Sequence, residues 1–201
     1  MPWDEAGGPC ADATVVFDTI QSVIGEVQDI DTRLQLQRPE VKLRDPQTGN
    51  IVGTATSNVP DLIIATGVIQ QSEIASKGAA FSIRFRRGQP FKGEPALTWH
   101  INSEKGEIRL IMPGGVSIGA LGYSEPVVID VHEFATDQVR RVEWKWPAWQ
   151  EEANIPIVSR SIAALYEAYA DGQTESYVNF EGALRRHEQL HGMLSGWDAS
   201  H

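Results

Sequence analysis

The stretch from Asp61 to Trp146 most restricts what this chain can fold into, because it reads as a succession of strands. Each run is rich in β-branched and aromatic residues, and each break carries Gly, Pro, Asn or a charge cluster. The runs are DLIIATGVIQQ, GAAFSIRFRRG, ALTWHIN, GEIRLIMP, EPVVIDVHEF and VRRVEWKW. In the second run the apolar set Phe81, Ile83 and Phe85 alternates with the polar set Ser82, Arg84 and Arg86. A period of two with one apolar face predicts a sheet that is covered on one side only.

Helical patterns flank this stretch on both sides. Residues from about Ala11 to Glu26 carry an apolar stripe of helical spacing, which Gly25 ends. The segment from Glu40 to Pro60 holds the turn cluster DPQTGN and predicts a long hairpin or loop beside the sheet. Two helices close the chain. The first of them is predicted to bury the stripe Ile162, Leu165, Tyr166 and Tyr169.

These elements predict an α+β structure with a large, mostly antiparallel β-sheet, built as a single domain over residues 1–201. The helices are expected to pack on one face of that sheet. The other face is expected to be open to a ligand or covered by a second copy of the chain.

Net charge and cysteine usage limit the partners and the compartment. The formal net charge of −10 argues against nucleic acid and anionic membrane surfaces, because both are bound through basic patches. No apolar run approaches the length that crosses a bilayer, and the N-terminal sequence lacks the regions of a signal peptide. Cys10 is the single cysteine, so an internal disulfide is excluded. The sequence therefore predicts a cytoplasmic protein.

The sequence HEQLH, from His187 to His191, matches the H-E-x-x-H pattern of zinc proteases. On a helix this spacing places two imidazoles one turn apart. The longer form of the motif needs Gly and His at set offsets, and the chain after His191 does not supply them. His187 also falls on the inner stripe of the predicted helix. We therefore expect no metal site and no bound cofactor.

A better candidate site lies on the polar side of the predicted sheet. Strand parity places Arg84 and Arg86 on one face. It also places Asp130 and His132 together, where a strand can present an acid–base pair to one cavity. The predicted catalytic residues are Arg84, His100, Asp130 and His132.

Aromatic and cationic side chains are expected to line the same cavity, because indole rings make broad apolar walls with one polar group. The predicted substrate-binding residues are Arg86, Trp99, Tyr123, Trp144, Trp146 and Trp149. Protein interfaces favour the same residue types, so these side chains equally fit a homodimer interface through the sheet. The two interpretations, a pocket lining and a homodimer interface, are compatible if the pocket lies beside the dimer seam.

Several short segments follow one another in a familiar order. They are Gly7-Gly8, Phe17-Asp18, Gly25-Glu26, Leu36 to Pro39, TGVIQQ, Leu97 to Ile101, Lys105 to Leu110 and ALRRHEQLHGML. Together they resemble the C-terminal domain of the Gfo/Idh/MocA oxidoreductase family, especially its Gal80-like branch. The resemblance covers nearly the whole chain and implies an α+β fold with a ligand-bearing sheet face.

Members of that family also carry a dinucleotide-binding Rossmann domain. This sequence contains no strand–GxGxxG–helix unit. Redox members usually carry a histidine three residues before the aspartate that matches Asp18, and this chain has Val15 there. The resemblance therefore implies the fold and not dehydrogenase activity.

The favoured hypothesis is a cofactor-independent enzyme of secondary metabolism that binds a hydrophobic small-molecule intermediate on the open sheet face. Such a cavity can accelerate a reaction by orienting the bound substrate and excluding water. This suits a cyclase or pericyclase, for example of hetero-Diels–Alder type, an isomerase, or a dehydratase. The alternatives are a non-catalytic Gal80-like ligand-binding or regulatory protein, and the substrate half of a split NAD(P)-dependent oxidoreductase.

Overall fold

A computed structural model describes residues 9–45, 47–88, 90–114, 125–174, 177 and 179–198. They divide into two compact units, each with its own antiparallel sheet. The first unit consists of the described residues of Met1–Gly88 and Glu181–His201. The second unit consists of the described residues of Gln89–Phe180. The single domain expected over residues 1–201 stays a prediction.

Helix α1 (Pro9–Ile24) opens the first unit at the place where the sequence predicts a helix. Phe17 is fully buried, and its ring meets the ring of Phe81 edge-on with 5.7 Å between the centroids. The N–H of Gly25 donates to the carbonyl of Gln21 at 3.0 Å, and Gly25 adopts a φ of 91°. That left-handed conformation ends the helix and is one that glycine adopts without strain.

Three antiparallel strands in the order β1-β4-β5 form the sheet of the first unit. Thr32, Ala65 and Ile83 lie directly opposite one another, so their side chains share a face. Phe81 lies on the same face by parity and contacts α1. The hydroxyl of Thr32 donates to the carbonyl of Met193 in α4 at 3.0 Å, so both helices cover one face of this sheet. The elements are β1 (Val27–Gln35), β4 (Leu62–Ile69), β5 (Ala80–Arg86) and α4 (Phe180–Leu194).

A separate two-stranded hairpin connects β1 to β4. It consists of β2 (Glu40–Arg44) and β3 (Ile51–Thr56), which pair with each other. The carboxylate of Asp45 accepts the main-chain N–H groups of Gln47 and Thr48 at 2.7 and 2.9 Å. The N–H of Thr48, followed by that of Gln47, lowers the pKa of the Asp45 carboxyl below its usual value. This is the hairpin that the turn cluster DPQTGN predicts.

A buried guanidinium ties α4 to α1 and to the start of β1. Arg186 donates to Asp18 at 3.3 Å and to the two carboxylate oxygens of Glu26 at 3.1 and 3.3 Å. It also donates to the side-chain oxygen of Gln189, whose amide nitrogen donates to the carbonyl of Val27 at 3.0 Å. Because a buried charge needs paired acceptors, this network fixes where α4 sits on the sheet.

Four antiparallel strands in chain order form the sheet of the second unit. A tight turn joins the first two, and in it the hydroxyl of Ser103 donates to the carbonyl of Gly106 at 2.9 Å. A Cβ atom at Gly106 would overlap the main-chain oxygen of His132, so no larger residue fits there without a shift of the backbone. The strands are β6 (Leu97–Asn102), β7 (Gly106–Met112), β8 (Val128–Glu133) and β9 (Gln138–Arg141).

Two short helices follow β9 in the second unit, with a 3-10 turn at Ile157–Ser159 between them. They are α2 (Ala148–Glu152) and α3 (Arg160–Ala170). Gln150 is fully buried, and its amide nitrogen donates to the carbonyl of Arg160 at 2.9 Å, which fixes α2 to the start of α3.

The prediction of a buried stripe on α3 is wrong. Its four members, Ile162, Leu165, Tyr166 and Tyr169, are all exposed. The buried residue of α3 is Ala168, so small side chains face the interior of the unit. The side of α3 that carries the large apolar residues is therefore largely solvent-exposed.

The predicted α+β class with antiparallel strands and helices is confirmed. The described strands form three sheets in place of one large sheet, because β2 and β3 pair only with each other and no ladder joins β5 to β6. Within the described ranges, no helix is long and apolar enough to span a bilayer.

Candidate functional site

A row of four polar residues crosses the sheet of the second unit, one from each strand. His100 on β6 lies opposite Arg109 on β7, Arg109 lies opposite Asp130 on β8, and Asp130 lies opposite Arg141 on β9. Directly opposed residues in antiparallel strands point to the same face. We call these four residues the charged row.

Asp130 lies at the centre of the charged row and is held by both of its neighbours. Arg109 donates to Oδ2 at 2.9 Å and Arg141 donates to Oδ1 at 3.1 Å. The carboxylate side chain is only 8% exposed, whereas the side chains of Arg109 and Arg141 are 49% and 62% exposed. The buried carboxylate of Asp130 therefore links β7, β8 and β9 through two guanidinium groups that remain partly exposed to solvent.

The two arginines lower the pKa of the Asp130 carboxyl below its ordinary value, and the hydrogen bond from Arg109 is the largest cause, followed by that from Arg141. Asp130 is therefore ionised at neutral pH, and each of its oxygens already accepts a hydrogen bond. This arrangement suits a group that holds strands together better than one that exchanges protons. The catalytic role of Asp130 stays a prediction.

We expect Asp130→Asn to lower stability at neutral pH and to flatten its pH dependence in acid. A carboxyl pKa that is depressed in the folded state stabilises the fold above the unfolded pKa, near the usual 3.8. That contribution is lost as the pH falls through the depressed folded value.

Urea unfolding at neutral pH and in steps from about pH 5 to about pH 2 tests this expectation. The exposed Glu104 in the β6–β7 turn offers a matched control, Glu104→Gln, which should behave as the parent chain does. The assignment is wrong if the Asp130→Asn variant loses as much stability on acidification as the parent.

His132 lies one row further along the same face, opposite Glu107. Its Nε2 atom lies 2.9 Å from Oδ1 of Asp137, and its ring meets the ring of Phe134 edge-on at 5.4 Å. Asp130 and His132 share a face, as strand parity predicts. The imidazole pairs with the β8–β9 turn, however, and not with Asp130.

Arg84 and Arg86 lie on β5 in the first unit, opposite Ile64 and Leu62. They share a face, as predicted. His100, Asp130 and His132 lie in the second unit, on one face of its sheet. Of the four predicted catalytic residues, the structure therefore brings three together on one sheet.

The tryptophans predicted to line the cavity lie at different places in the second unit. Trp144 and Trp146 follow β9, which ends at Arg141, so the expected strand up to Trp146 is too long. Their rings meet edge-on at 5.7 Å, and the Trp144 indole donates to the carbonyl of Val127 at 3.1 Å. Trp149 lies in α2 and is partly buried. Tyr123 lies outside the described residues.

The opposite face of the four-stranded sheet is apolar on β6, β7 and β8. Residues an odd number of positions from a member of the charged row point to this face, because side chains alternate along a strand. All of them retain some exposure, and Ile108 is 39% exposed. The predicted substrate-binding residue Trp99 is among them and is therefore separated by the sheet from His100. We call this set the apolar face: Leu97, Trp99, Ile101, Ile108, Leu110, Met112, Ile129 and Val131.

Helix α4 places both histidines of HEQLH on its exposed side. His187 and His191 are solvent-exposed, whereas Arg186 and Leu190 are buried, so the expectation that His187 faces inward is wrong. No group of three or more His, Cys, Asp or Glu side chains within the described ranges could hold a metal ion. Beside α4 lies an open depression of about 330 Å³, which β1 lines from the other side.

Two solved structures of Gal80p are similar to this chain. One is a super-repressor mutant of Gal80p from Saccharomyces cerevisiae, with 18% identity, a TM-score of 0.64, and coverage of 90% of this chain and 45% of that chain. The other is the transcriptional regulator Gal80p from Kluyveromyces lactis, with 16% identity, a TM-score of 0.68, and coverage of 95% and 44%. No curated protein sequence matches the chain.

The family model of the Gal80p C-terminal domain matches residues 13–111. This stretch, slightly less than half of the chain, is similar to the C-terminal domain of Gal80p. The similarity of the solved structures extends the Gal80-like fold over nearly the whole chain, which spans slightly less than half the length of those proteins. The resemblance identified from the sequence is confirmed.

In this Gal80-like chain, sequence reasoning missed the two residues that dominate the charged row. None of the predicted site residues lies on β7 or β9, the strands of Arg109 and Arg141, so alternation along a strand could not link either arginine to the site. They meet Asp130 only through the register of three strands. A weak signal existed, since Asp130 has an apolar residue on each side and an acid in such a run needs a basic partner.

Proposed function

We propose that this Gal80-like chain is a binding and assembly domain whose apolar face pairs with the same face of a second copy. The observation that carries this proposal is the apolar face itself. It presents eight partly exposed apolar side chains with no charge among them. Among the described strand residues on that side, the charged ones are Glu133 at the end of β8 and Arg140 on β9, which lie 3.5 Å apart.

A second copy is the occupant that the charge distribution favours. An uncharged face can meet its own copy without like-charge contacts, although the whole chain carries a net charge of −10. Two sheets pack face to face with interdigitating side chains, and a two-fold axis uses the same patch on both partners. The three strands that carry the apolar face, of about six residues each, cover roughly 300 Å², more than a third of the roughly 800 Å² that each partner buries in a standard interface.

This arrangement leaves the charged row in water on the outer face of each copy. The Kluyveromyces lactis protein is a transcriptional regulator by its description, and that description supports the non-catalytic alternative derived from the sequence. In this proposal the chain works in the cytoplasm. It binds a hydrophobic small molecule or another protein beside the seam between the two copies.

Placing a carboxylate in the apolar face tests the proposal. We expect the parent chain to be a dimer and Ile108→Asp to weaken dimerisation at least about 100-fold, because burying an unpaired carboxylate costs several kcal/mol. Val139→Asp is the matched control, since Val139 is exposed on the opposite face of the same sheet. Analytical ultracentrifugation over a concentration series gives the dissociation constants.

The control variant should remain a dimer. A parent chain that is monomeric at all accessible concentrations contradicts the proposal, and so does an Ile108→Asp variant that dimerises as tightly as the parent. Circular dichroism of both variants checks that the fold is intact.

The second candidate is the cofactor-free enzyme of secondary metabolism. The observation that favours it is the pair of donors His100 and Arg109, which lie opposite each other on an exposed face and can hold a developing oxyanion. Mass spectrometry of hydrophobic metabolites incubated with the chain tests it. A product that forms with the parent and not with His100→Ala supports the enzyme, and ligand binding without any product contradicts it.

A further inference from the structure

The outer side of α3 carries a stripe of four exposed apolar and aromatic residues. Its members lie at positions i, i+3, i+4 and i+7, which is one face of a helix. Their exposures are 55% for Ile162, 45% for Leu165, 70% for Tyr166 and 70% for Tyr169. We call these four residues the outward stripe.

The arrangement of α3 is inverted relative to an ordinary surface helix. Such a helix buries its large apolar residues and exposes its polar ones. Here the inner side holds the small residues Ala164 and Ala168, and the large residues point to solvent. The ring of Tyr169 lies 5.7 Å, centroid to centroid, from that of Tyr177 and is tilted by 56° against it, which extends the aromatic surface beyond the helix end. A contiguous exposed apolar surface of this kind marks an interaction site.

The charges near the outward stripe are acidic. Glu167 and Asp171 are exposed at the C-terminal end of α3, and Glu151 and Glu152 are exposed on α2 beside its N-terminal end. Helix α2 is held there by the hydrogen bond from Gln150 to the first residue of α3.

Arg160, the first residue of α3, lies among these acids but is mostly buried. It donates through Nε to the carbonyl of Ile155 at 3.1 Å, its guanidinium lies 5.6 Å from the ring centroid of Trp146, and its side chain is 17% exposed. Its Nη1 atom lies 3.9 Å from Oε1 of Glu151, so it offsets that one acid. The remaining negative charge beside the outward stripe is that of Glu152 at one end and of Glu167 and Asp171 at the other.

We propose that the outward stripe docks a basic amphipathic helix of a partner protein. Leucine-sized side chains on one face of that helix pack between the tyrosines, in the way that ridges on one helix fill grooves on another. Lysine or arginine side chains on its flanks meet the acids at the two ends. A second copy fits this surface poorly, because it would bring like charges together. The proposal is independent of the apolar face and of dimerisation.

A synthetic peptide serves as the probe. It has about 18 residues, enough for five helical turns, with leucine on one face and lysine on the other. One control peptide has the same composition with the leucines scattered around the helix, and a second has glutamate in place of lysine. Fluorescence anisotropy with labelled peptides measures binding to the full chain at low and at high salt.

We expect the basic amphipathic peptide to bind at least about tenfold more tightly than either control peptide. The double variant Leu165→Ser with Tyr169→Ser should weaken that binding at least about tenfold. Phe91→Ser is the matched control, because Phe91 is a 75% exposed aromatic residue of the same unit outside the stripe. It should leave binding unchanged. Circular dichroism should show all variants folded, since the substituted side chains are exposed.

A second pair of substitutions tests the electrostatic part. Glu167→Gln with Asp171→Asn should weaken binding at low salt and reduce its salt dependence. Equal binding of all three peptides overturns the proposal, as does unchanged binding by the Leu165→Ser with Tyr169→Ser variant. The same variant is examined by analytical ultracentrifugation. If it loses a dimer that the parent forms, the occupant is a second copy and the proposal is wrong.

Discussion

Replacing Arg186 by methionine should destabilise the first unit by roughly 3 kcal/mol, one of the largest effects of any single substitution in the chain. The arginine side chain is 8% exposed and holds Asp18, Glu26 and Gln189 at once. Its removal leaves two carboxylates close together with no counter-charge. Asp18 and Glu26 retain 41% and 37% exposure, which places the cost at the lower end of the range for a broken buried pair.

The neighbouring residue supplies the control. Arg185 lies on the exposed side of α4, and Arg185→Met should change the free energy of unfolding by less than about 0.5 kcal/mol. Urea unfolding followed by circular dichroism measures both variants under the same conditions. If the two substitutions cost the same, the buried network does not hold α4 in place.

Replacing Gly106 by alanine should destabilise the second unit by roughly 3 kcal/mol. The new methyl group would overlap the main-chain oxygen of His132 on the neighbouring strand. A main-chain atom in a hydrogen-bonded ladder cannot move aside as a side chain can, so β7 and β8 must separate. Loss of that pairing also disturbs Asp130 and both of its arginine partners.

Gly192→Ala is the matched control for the steric argument. A Cβ atom at Gly192 in α4 meets nothing within 4 Å, and alanine is a better helix former than glycine. We expect this substitution to stabilise the chain by roughly 0.5–1 kcal/mol. The melting temperature and the urea midpoint should therefore fall for Gly106→Ala and rise for Gly192→Ala. A neutral Gly106→Ala would mean that the strands are less closely paired than described.

Much of the fold can be read from alternation and turn chemistry. The parity of Phe81, Ile83 and Phe85 predicts which side of β5 faces the helices, and Gly25 predicts the end of α1. These signals are local, because each depends on residues a few positions apart in the sequence. The α+β class follows from them without any knowledge of which strands pair.

The parts that could not be predicted depend on long-range pairing. The partners of Asp130 are set by the register of β7, β8 and β9, which involves residues separated by 21 and 11 positions. The stripe on α3 has the pattern of a buried face, and periodicity alone cannot tell a face that packs within the chain from one that packs against a partner. The division of the strands into three sheets likewise depends on which ladders form.

The central claim is that the apolar face of the four-stranded sheet is shared by two copies of the chain. Hydroxyl-radical footprinting over a dilution series tests it directly, because tryptophan and methionine side chains are oxidised readily when water reaches them. Trp99 and Met112 lie on the apolar face, and Trp144, outside the sheet, serves as the internal reference. We predict that Trp99 and Met112 are protected at high concentration and become oxidised on dilution while Trp144 does not change. Equal oxidation of Trp99 and Met112 at all concentrations would contradict the account.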